Sequence, residues 1–571
     1  MWLIRLMGCG LPDQELLERP IPLVSRAIDT AVDSARDTRD SGDSGDSGDS
    51  GDSGDSDDSV GDTADTGDTS DTGDTGDTGD TIVDDHDADG VIDDADCAPD
   101  DAAVYPGAPE RCGDGLDNNC DGTANGCGLP ASDNIATADV VITGALPGDG
   151  AGYAAWVGDL NGDGTDDAVI AAFNEGTGGT GSGAVYVEHG PMTTGGSVTT
   201  LDAALYGASA DAHAGHSVWG GDFDGDGQGD LLIGASGDAT VAVDAGAVML
   251  VRGPFSGTES LATAEMTLLG EDENDGVGWV VTGGDVDGDG ALDALSTARR
   301  DDDGGVDAGA VYVAFGPLAS GSWSAADAKI IGEDSEDDAG WGATSLDTDG
   351  DGVDDVLLGA EDEDAGGEGA GAGYVVLGPL SGVHDLATAD AKLIGEDADD
   401  DCGRVLWGGD VDDDGVMDAV MTCTRRDLYG YETGAVYLVL GAVTGTIDLS
   451  TADAVLLGEA FDDWAGRALT AGDIDGDSVI DIAVGAEKND AAAIDAGATY
   501  LSRGPYSGVI ELSAADYKWT GEATNDHAGW VARNGDLDGD GWNDLLVGSW
   551  EVDRTGADAG AVYILAGGPG L

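Results

Sequence analysis

Aspartate recurs in seven short segments with the pattern D-x-[DN]-x-D-x-x-x-D, beginning at residues 159, 222, 285, 347, 410, 473 and 536. Alternate carboxylates in a tight turn supply hard oxygen ligands, of which Ca²⁺ takes about six to eight. We expect ligation by the side chains at positions 1, 3, 5 and 9 and by the carbonyl at position 7. The expected ligands are Asp159, Asn161, Asp163, Thr165 and Asp167; Asp222, Asp224, Asp226, Gln228 and Asp230; Asp285, Asp287, Asp289, Ala291 and Asp293; Asp347, Asp349, Asp351, Val353 and Asp355; Asp410, Asp412, Asp414, Val416 and Asp418; Asp473, Asp475, Asp477, Val479 and Asp481; and Asp536, Asp538, Asp540, Trp542 and Asp544.

The sixth loop position is glycine in six loops, which suits a sharp turn with positive φ. Ser478 replaces it in the sixth loop, and we expect that site to be the weakest. No glutamate follows at the twelfth position, so these loops are not EF-hands. We expect the ions to act as structural staples, with a regulatory calcium switch as the alternative.

The loops recur at spacings of 63, 63, 62, 63, 63 and 63 residues, with several short apolar runs in each repeat. Such runs predict four strands per repeat, and hence an all-β, seven-bladed propeller of four-stranded blades. A second repeated segment, clearest at 386–395, has a copy at 135–144 before the first loop and none after the last repeat. The N-terminal copy therefore predicts a strand that completes the last blade and closes the ring.

These repeats resemble the FG-GAP repeats of the integrin α-subunit propeller over about 440 residues. The resemblance rests on the Asp loop, a glycine ahead of the innermost strand, Gly-Ala pairs at 234–235, 359–360 and 485–486, and Gly-Pro pairs at 253–254 and 316–317. It implies ligand contacts on the face opposite the calcium loops.

A glycine lies seven residues before every Asp loop, and the residue after it should face one mouth of the channel. Aromatic and arginine side chains are favoured interface anchors. We therefore expect a partner-binding ring, with the alternative that these side chains only fill the channel. The ring consists of Tyr153, His216, Trp279, Trp341, Arg404, Arg467 and Trp530, and the pairs Arg299-Arg300 and Arg425-Arg426 should reach the same face.

Residues 84–130 form a cysteine-containing module that resembles the MopE-type metal-binding motif of bacterial surface proteins. Copper favours imidazole or sulfur ligands, and only His86 is available, so oxygen-rich spacing favours calcium. The expected ligands are Asp85, Asp87, Asp89, Val91 (carbonyl) and Asp93, with Asp114 and Asp121 as a second group. Four cysteines, Cys97, Cys112, Cys120 and Cys127, leave three pairings open.

Cys402 and Cys423 occupy positions that are small residues in the other repeats, and only this repeat has cysteine at both. We expect a disulfide across the hairpin, with two unrelated thiols as the alternative. A disulfide implies an oxidising compartment.

The chain has 571 residues, with 118 acidic residues against 20 basic ones, a net charge of -98 that excludes nucleic acid and anionic membranes as partners. We divide it into a leader at 1–29, a disordered Asp/Ser/Thr/Gly linker at 30–83, the module at 84–130 and the propeller at 131–571. Leu6-Met7-Gly8-Cys9 is either a lipobox, giving a lipid anchor at Cys9, or a chance match, because the preceding apolar stretch is short.

The sequence carries no Gly-x-Ser-x-Gly, His-Glu-x-x-His or phosphate-binding Gly-Lys motif, so we do not expect an enzyme. We expect an extracytoplasmic calcium-binding propeller, secreted or at the cell surface, that acts in adhesion or binds a protein or carbohydrate ligand. The alternative is a calcium-dependent structural or matrix component without a specific ligand, and the third is an unrecognised hydrolase.

Overall fold

The computed structural model describes residues 133–427 and 432–568, which form a seven-bladed β-propeller without α-helices in these ranges. From the axis outwards, the first four strands of each blade pair antiparallel, and a fifth pairs parallel with the fourth. The predicted all-β propeller is confirmed. The leader, the linker, the cysteine module and Cys9 lie outside the described residues.

Strands of the same rank have similar bounds in every blade. The innermost strands are Ala151–Gly158, Ala214–Gly221, Val281–Gly284, Ala339–Leu346, Cys402–Gly409, Ala465–Gly472 and Val531–Gly535. The second strands are Asp167–Ala172, Asp230–Ala235, Asp293–Ala298, Asp355–Ala360, Asp418–Cys423, Asp481–Ala486 and Asp544–Ser549. The third strands are Ala184–Glu188, Ala247–Val251, Ala310–Ala314, Ala372–Val376, Ala435–Val439, Ala498–Ser502 and Ala561–Leu565. The fourth strands are Ala203–Tyr206, Met266–Leu269, Ala328–Ile331, Ala391–Ile394, Ala454–Leu457, Tyr517–Thr520 and Val140–Thr143.

The prediction of four strands per blade was wrong by one strand. After its third strand, each repeat crosses to the outer edge of the preceding blade and pairs there before returning through a short 3₁₀ helix. The fifth strands are Gly257–Ser260, Gly321–Ser322, Gly382–Asp385, Gly445–Asp448, Gly508–Glu511, Asp133–Asn134 and Gly196–Ser197. The 3₁₀ helices, each with a buried first residue, are Ile135–Thr137, Val198–Thr200, Leu261–Thr263, Trp323–Ala325, Leu386–Thr388, Leu449–Thr451 and Leu512–Ala514.

The N-terminal copy of the repeated segment closes the ring, as predicted. Val140–Thr143 pairs antiparallel with the third strand of blade 7, and Asp133–Asn134 adds the fifth strand to blade 6. At the junction of blades 7 and 1, the Ala151 amide donates to the Ala559 carbonyl at 3.0 Å. Both ends of the described chain are thereby held within neighbouring blades, and no outer strand of blade 7 is missing.

Tyrosines on the third strands link neighbouring blades. In blades 3 to 7, the phenol donates to a glutamate that follows the fourth strand of the preceding blade, at O–O distances of 2.6–3.1 Å. The pairs are Tyr312 with Glu271, Tyr374 with Glu333, Tyr437 with Glu396, Tyr500 with Glu459 and Tyr563 with Glu522. Because these phenols lie almost wholly in the core, the bonds satisfy a polar group that burial would otherwise penalise.

Cys402 and Cys423 form the predicted disulfide. They face each other across the innermost and second strands of blade 5, with Cα atoms 3.9 Å apart, and both are fully buried. Two alanines occupy the same cross-strand pair in blades 1, 2, 4 and 6. The blade backbone therefore accommodates either pair.

Ile142→Ala tests ring closure, because Ile142 is buried in the core of blade 7 and Leu393 occupies the same place in blade 4. Each truncation to alanine should lower the free energy of unfolding by about 2–5 kcal/mol. Urea unfolding followed by circular dichroism measures both. A destabilisation by Leu393→Ala alone would contradict the closing strand.

Replacing both cysteines of blade 5 by alanine should leave the fold intact, since alanine pairs occupy this place in other blades. The crosslink joins residues 21 apart in sequence. Loop-closure entropy for that separation predicts a loss of about 3 kcal/mol. Urea unfolding under non-reducing conditions measures the loss, and equal stability of the two proteins would show that the crosslink does not constrain the unfolded chain.

Candidate functional site

Each innermost strand carries a distinct set of side chains at each end. Strand Ala151–Gly158 spans about 26 Å at roughly 3.3 Å per residue. Its first glycine is followed by a large side chain, and its last residue leads into the Asp loop. The Asp loops and the ring of large side chains therefore lie at opposite mouths of the channel.

The first aspartate of each loop organises the turn. The Asp159 carboxylate accepts N–H bonds from Gly162, Asp163 and Gly164 at 2.7–3.1 Å. The same three bonds recur in blades 2, 3 and 4, and two of them recur in each of the remaining loops. In every loop the residue at position 7 donates its N–H to the aspartate at position 5. These bonds fold the loop so that its carboxylates converge.

The aspartate at position 9 is buried at the base of each loop. In blade 2, Asp230 accepts the amides of Phe223 and Gly253 at 3.1 Å each. Burial raises the pKa of this carboxyl group to about 6 in Asp230, although the two backbone bonds oppose the shift. Burial also raises the pKa of Asp481 to about 7. A nearby cation would offset the cost of keeping these groups charged.

Carboxylate oxygens from three aspartates lie within 4.8 Å of one another in the loops of blades 2 to 5. The groups are Asp222, Asp224 and Asp230; Asp285, Asp287 and Asp289; Asp347, Asp349 and Asp351; and Asp410, Asp412 and Asp418. Ligands of one Ca²⁺ at about 2.3–2.6 Å are at most about 5 Å apart, so these separations suit a shared ion. The residues in these loops thus fit a calcium-sized cation.

Another carboxylate group serves a different purpose. Glu271, Asp301 and Asp303 surround the Lys329 ammonium at 2.6–3.0 Å, so that this cluster already has its cation. It lies beside the Tyr312 phenol and stabilises the junction of blades 2 and 3.

A basic residue approaches three of the loops from the end of the third strand. Arg252 pairs with Asp224 at 2.6 Å, Arg503 pairs with Asp475 at 3.1 Å, and His189 lies 3.1 Å from a carboxylate oxygen of the ninth aspartate of blade 1. Ser478 adopts φ 71° and donates its N–H to the first aspartate of its loop, as the glycines at this position do. The serine therefore preserves the turn, and the arginine is the larger difference in blade 6.

The seven predicted ring residues come together at the other mouth. Tyr153 lies between His216 and Trp530, with centroid distances of 5.3 Å to each. His216 is 4.4 Å from Trp279, which contacts Trp341 edge-on at 5.1 Å. The Tyr153 hydroxyl is also 3.2 Å from the His216 imidazole. Burial lowers the pKa of His216 to about 4, so the imidazole in this stack is neutral near pH 7.

Two arginines complete the ring by stacking on indole faces. Arg404 lies over Trp341 at 4.6 Å, and Arg467 lies over Trp530 at 3.6 Å. Such cation–π contacts gain strength when they are desolvated, and burial lowers the pKa of the Arg467 guanidinium. The ring therefore combines flat apolar surfaces with positive charge.

The residues directly after the second strands form an outer layer around this ring. Phe173 stacks on Tyr153 at 3.9 Å, and Trp550 contacts Trp530 at 5.3 Å. Glu361 pairs with Arg404 at 3.3 Å, and Glu487 lies 3.5 Å from Arg467. Of this layer, sequence reasoning placed only the arginines at 299–300 and 425–426 on this face, and comparison of the residue that follows each second strand would have found the rest of the layer.

The pairs of arginines that follow the second strands of blades 3 and 5 have different positions. Arg299 lies between Trp279 and Trp341, and Arg425 faces Trp464 at 5.3 Å. Arg300 is exposed and lines a separate cavity beside Trp279. The expectation that Arg426 reaches this face was wrong.

Arg426 turns into the blade because its neighbouring carboxylates and phenol pair with it. It bonds the Tyr437 hydroxyl at 2.7 Å and pairs with Glu396 and Asp397 at 2.7–2.8 Å. It thus takes the place beside a tyrosine–glutamate pair that Lys329 has in blade 3.

Two cavities lie along the channel axis. One, of about 210 Å³, is lined by the seven ring residues together with Val281, Leu469 and Arg533. The other, of about 390 Å³, extends towards the Asp loops and shares Trp341, Arg404 and Arg533 with the first. The arrangement can admit a small group between indole faces and guanidinium groups.

Comparison with known proteins identifies two families in separate parts of the chain. The FG-GAP repeat matches residues 528–565, which correspond to blade 7. The MopE-type metal-binding motif matches residues 96–125, ahead of the described part of the chain.

Two curated relatives are the integrin alpha pat-2 proteins of Caenorhabditis briggsae and Caenorhabditis elegans. Each is 28% identical over 231 residues, which cover 37% of this chain and 18% of the relative. The match thus spans less than a fifth of the length of these relatives. Among solved structures, a rhamnogalacturonan lyase of Bacillus licheniformis is 12% identical, with a TM-score of 0.34 and coverage of 73% of this chain and 72% of that one.

In the described part of the chain, no helix has the length and apolar character needed to span a membrane. The FG-GAP match falls on one blade of the seven-bladed propeller. The chain thus forms a seven-bladed β-propeller that contains a match to the FG-GAP repeat, is similar in part to integrin α subunits, and carries a match to the MopE-type metal-binding motif ahead of the propeller in sequence.

Proposed function

We propose that this protein is an extracytoplasmic, calcium-stabilised propeller that binds a ligand in adhesion or recognition at the cell surface or after secretion. The ring of stacked aromatic and arginine side chains at one mouth of the channel is the observation that carries this proposal. Aromatic and arginine residues dominate binding energy in protein interfaces.

Calcium is the cation that best suits the loops. Each loop offers several carboxylates in one turn, and Ca²⁺ accepts many oxygen ligands in variable geometry, whereas Mg²⁺ keeps most of its waters and demands near-octahedral geometry. A structural role follows from position, because each loop joins the innermost and second strands of one blade. Seven ions would also offset part of the net charge of -98. Blades 2 and 6 should bind most weakly, since Arg252 and Arg503 already pair with loop aspartates.

The surroundings of the ring support recognition by further side chains on the same face. Trp464 occupies the repeat position where every blade has a positive φ, as His213 and His527 also show, and it places an indole there. Lys488 lies 3.1 Å from its ring centroid, and Phe461 beside it is 66% exposed. These partly exposed aromatic and basic side chains would add to the surface that a ligand can contact.

An oxidising location is supported by the buried Cys402–Cys423 disulfide. The integrin α relatives support a surface role, and a lipid anchor at Cys9 is part of the proposal. We propose binding without catalysis, because the described lining of the axial cavities offers no carboxylate to act with His216 as an acid–base pair.

Removal of calcium with EGTA should lower the melting temperature sharply. At free calcium near 100 times Kd, each site would contribute about 2.7 kcal/mol. Differential scanning calorimetry of the full chain before and after dialysis measures the effect, and added Ca²⁺, but not Mg²⁺, should restore the original value. An unchanged melting temperature after dialysis would remove calcium from the proposal.

The double variant Trp341→Ala with Arg404→Ala should abolish attachment of protein-coated beads to intact cells of the producing organism, because it removes a stacked pair from the ring. The matched control is Trp542→Ala with Arg503→Ala, which makes the same changes at the opposite mouth. Both variants are assayed in saturating calcium, and a melting curve for each shows whether it is folded.

Attachment that survives loss of the ring pair would contradict recognition at this mouth. Attachment lost only in the control pair would assign binding to the loop side instead. If wild-type beads do not attach, a structural component without a specific ligand becomes the better interpretation.

A further inference from the structure

The axial cavities are positively charged in a strongly acidic protein. Arg404, Arg467 and Arg533 are the charged residues that line them, and no carboxylate contributes to the described lining of either cavity. The whole chain carries 118 acidic residues against 20 basic ones. The channel therefore has the opposite sign to the rest of the molecule.

Arg533 is the least compensated of the three. It lies on the innermost strand of blade 7, where its guanidinium donates to the Ala532 carbonyl at 2.7 Å. Among the described residues no carboxylate lies within ion-pair distance of it, and burial lowers its pKa. The same level of the channel in the other blades carries tryptophan or threonine: Trp156, Trp219, Thr282, Thr344, Trp407 and Thr470. Arg533 is half-buried, and with one backbone bond its guanidinium retains most of its five N–H donors for a ligand in the channel.

Arg404 and Arg467 also retain unused donors. The Nε of each is buried and lacks a hydrogen bond. The Glu487 carboxylate lies 3.5 Å from the Arg467 Nε, within ion-pair distance, but this Nε makes no hydrogen bond. Glu361 and Glu487 belong to the outer layer, and neither lines the cavities.

The two ring arginines repel each other. They occupy adjacent blades. Burial is the main cause that lowers the pKa of Arg467; the Glu487 carboxylate opposes this shift, and the charge of Arg404 lowers the pKa further. Neighbouring ring positions elsewhere are joined by aromatic or cation–π contacts, whereas this junction brings two like charges together. An anion at this junction would convert the repulsion into two attractions.

We propose that the channel binds a carboxylate group between Arg404, Arg467 and Arg533. A planar carboxylate matches the guanidinium fork in two parallel N–H bonds. Indole faces and the side chains of Val281 and Leu469 favour an organic carboxylate over inorganic phosphate. A cavity of about 210 Å³ admits a small molecule or one side chain, not a folded domain. The inference rests on the proposed ligand-binding role and specifies its chemistry.

The carboxylate has two possible sources, a free small acid or an acidic side chain of a partner protein. Propionate represents the first and a blocked aspartate tetrapeptide the second. Propionamide has nearly the same shape as propionate without its charge. Binding is measured by tryptophan fluorescence and calorimetry on the calcium-loaded full chain.

We expect propionate to bind at least tenfold more tightly than propionamide. Arg533→Met should weaken propionate binding at least tenfold, whereas Arg554→Met should leave it unchanged, since Arg554 pairs with Glu522 and does not line the channel. A tetrapeptide that binds at least tenfold more tightly than propionate assigns the site to a partner side chain, and similar affinities assign it to a free acid.

Equal affinity for propionate and propionamide would overturn the proposal even if Arg533→Met does not fold. So would propionate binding that persists unchanged in a folded Arg533→Met protein. These titrations use no cellular partner. If propionate binds but the beads do not attach, the proposed adhesive role fails. If the beads attach but propionate does not bind, the carboxylate site fails.

Discussion

The start of each innermost strand is in close contact with the backbone of the preceding blade, and this junction determines the geometry of both mouths of the channel. In blade 5, Gly403 has φ 97°, and a Cβ there would lie 2.5 Å from the Ala372 carbonyl oxygen. A Cβ on Gly359 of blade 4 would lie 1.7 Å from the Gly403 carbonyl. Only glycine permits this approach. The Cys402 amide then bonds the Ala370 carbonyl at 3.1 Å and fixes the start of the strand.

The same junction presents the ring to the channel. In blade 1, Ala151 pairs with Ala172 and Ala154 pairs with Ala171, so that Gly152 and Tyr153 bulge out of the ladder between them. Similar register shifts occur in blades 2, 4, 5 and 6. A bulge redirects side chains that regular pairing would place on a blade face. The glycine that allows close blade packing is therefore also the reason that its neighbour faces the axis.

Features that repeat in the sequence could be predicted, because each repeat supplies an independent observation of the same position. The seven-bladed ring, its closure through Val140–Thr143 and the Cys402–Cys423 pair were accessible in this way. The fifth strands were not, because they are short and mostly exposed, as in Gly257–Ser260. Their pairing depends on the path of the chain between blades, which carries no hydrophobic alternation to reveal it.

Contacts between distant residues limited the prediction of individual side chains. Tyr312 and Glu271 meet across two blades from positions 41 residues apart, and no local pattern links them. Arg425 and Arg426 are neighbours in sequence, yet one faces Trp464 and the other pairs with the tyrosine–glutamate contact of blade 5. The direction of an arginine side chain in a turn depends on where its carboxylate partners lie, and the sequence alone does not locate them.

The repeats differ most where packing between blades constrains them least. The residue that starts each innermost strand is alanine, valine or cysteine in every blade, whereas the channel positions range from threonine to tryptophan and arginine. Filling a channel requires only bulk. Placing Arg404, Arg467 and Arg533 in three consecutive blades instead brings like charges together in a half-buried channel, where they repel more strongly than in bulk water. Packing alone does not call for that arrangement, whereas the carboxylate ligand that we propose would account for the asymmetry of the channel.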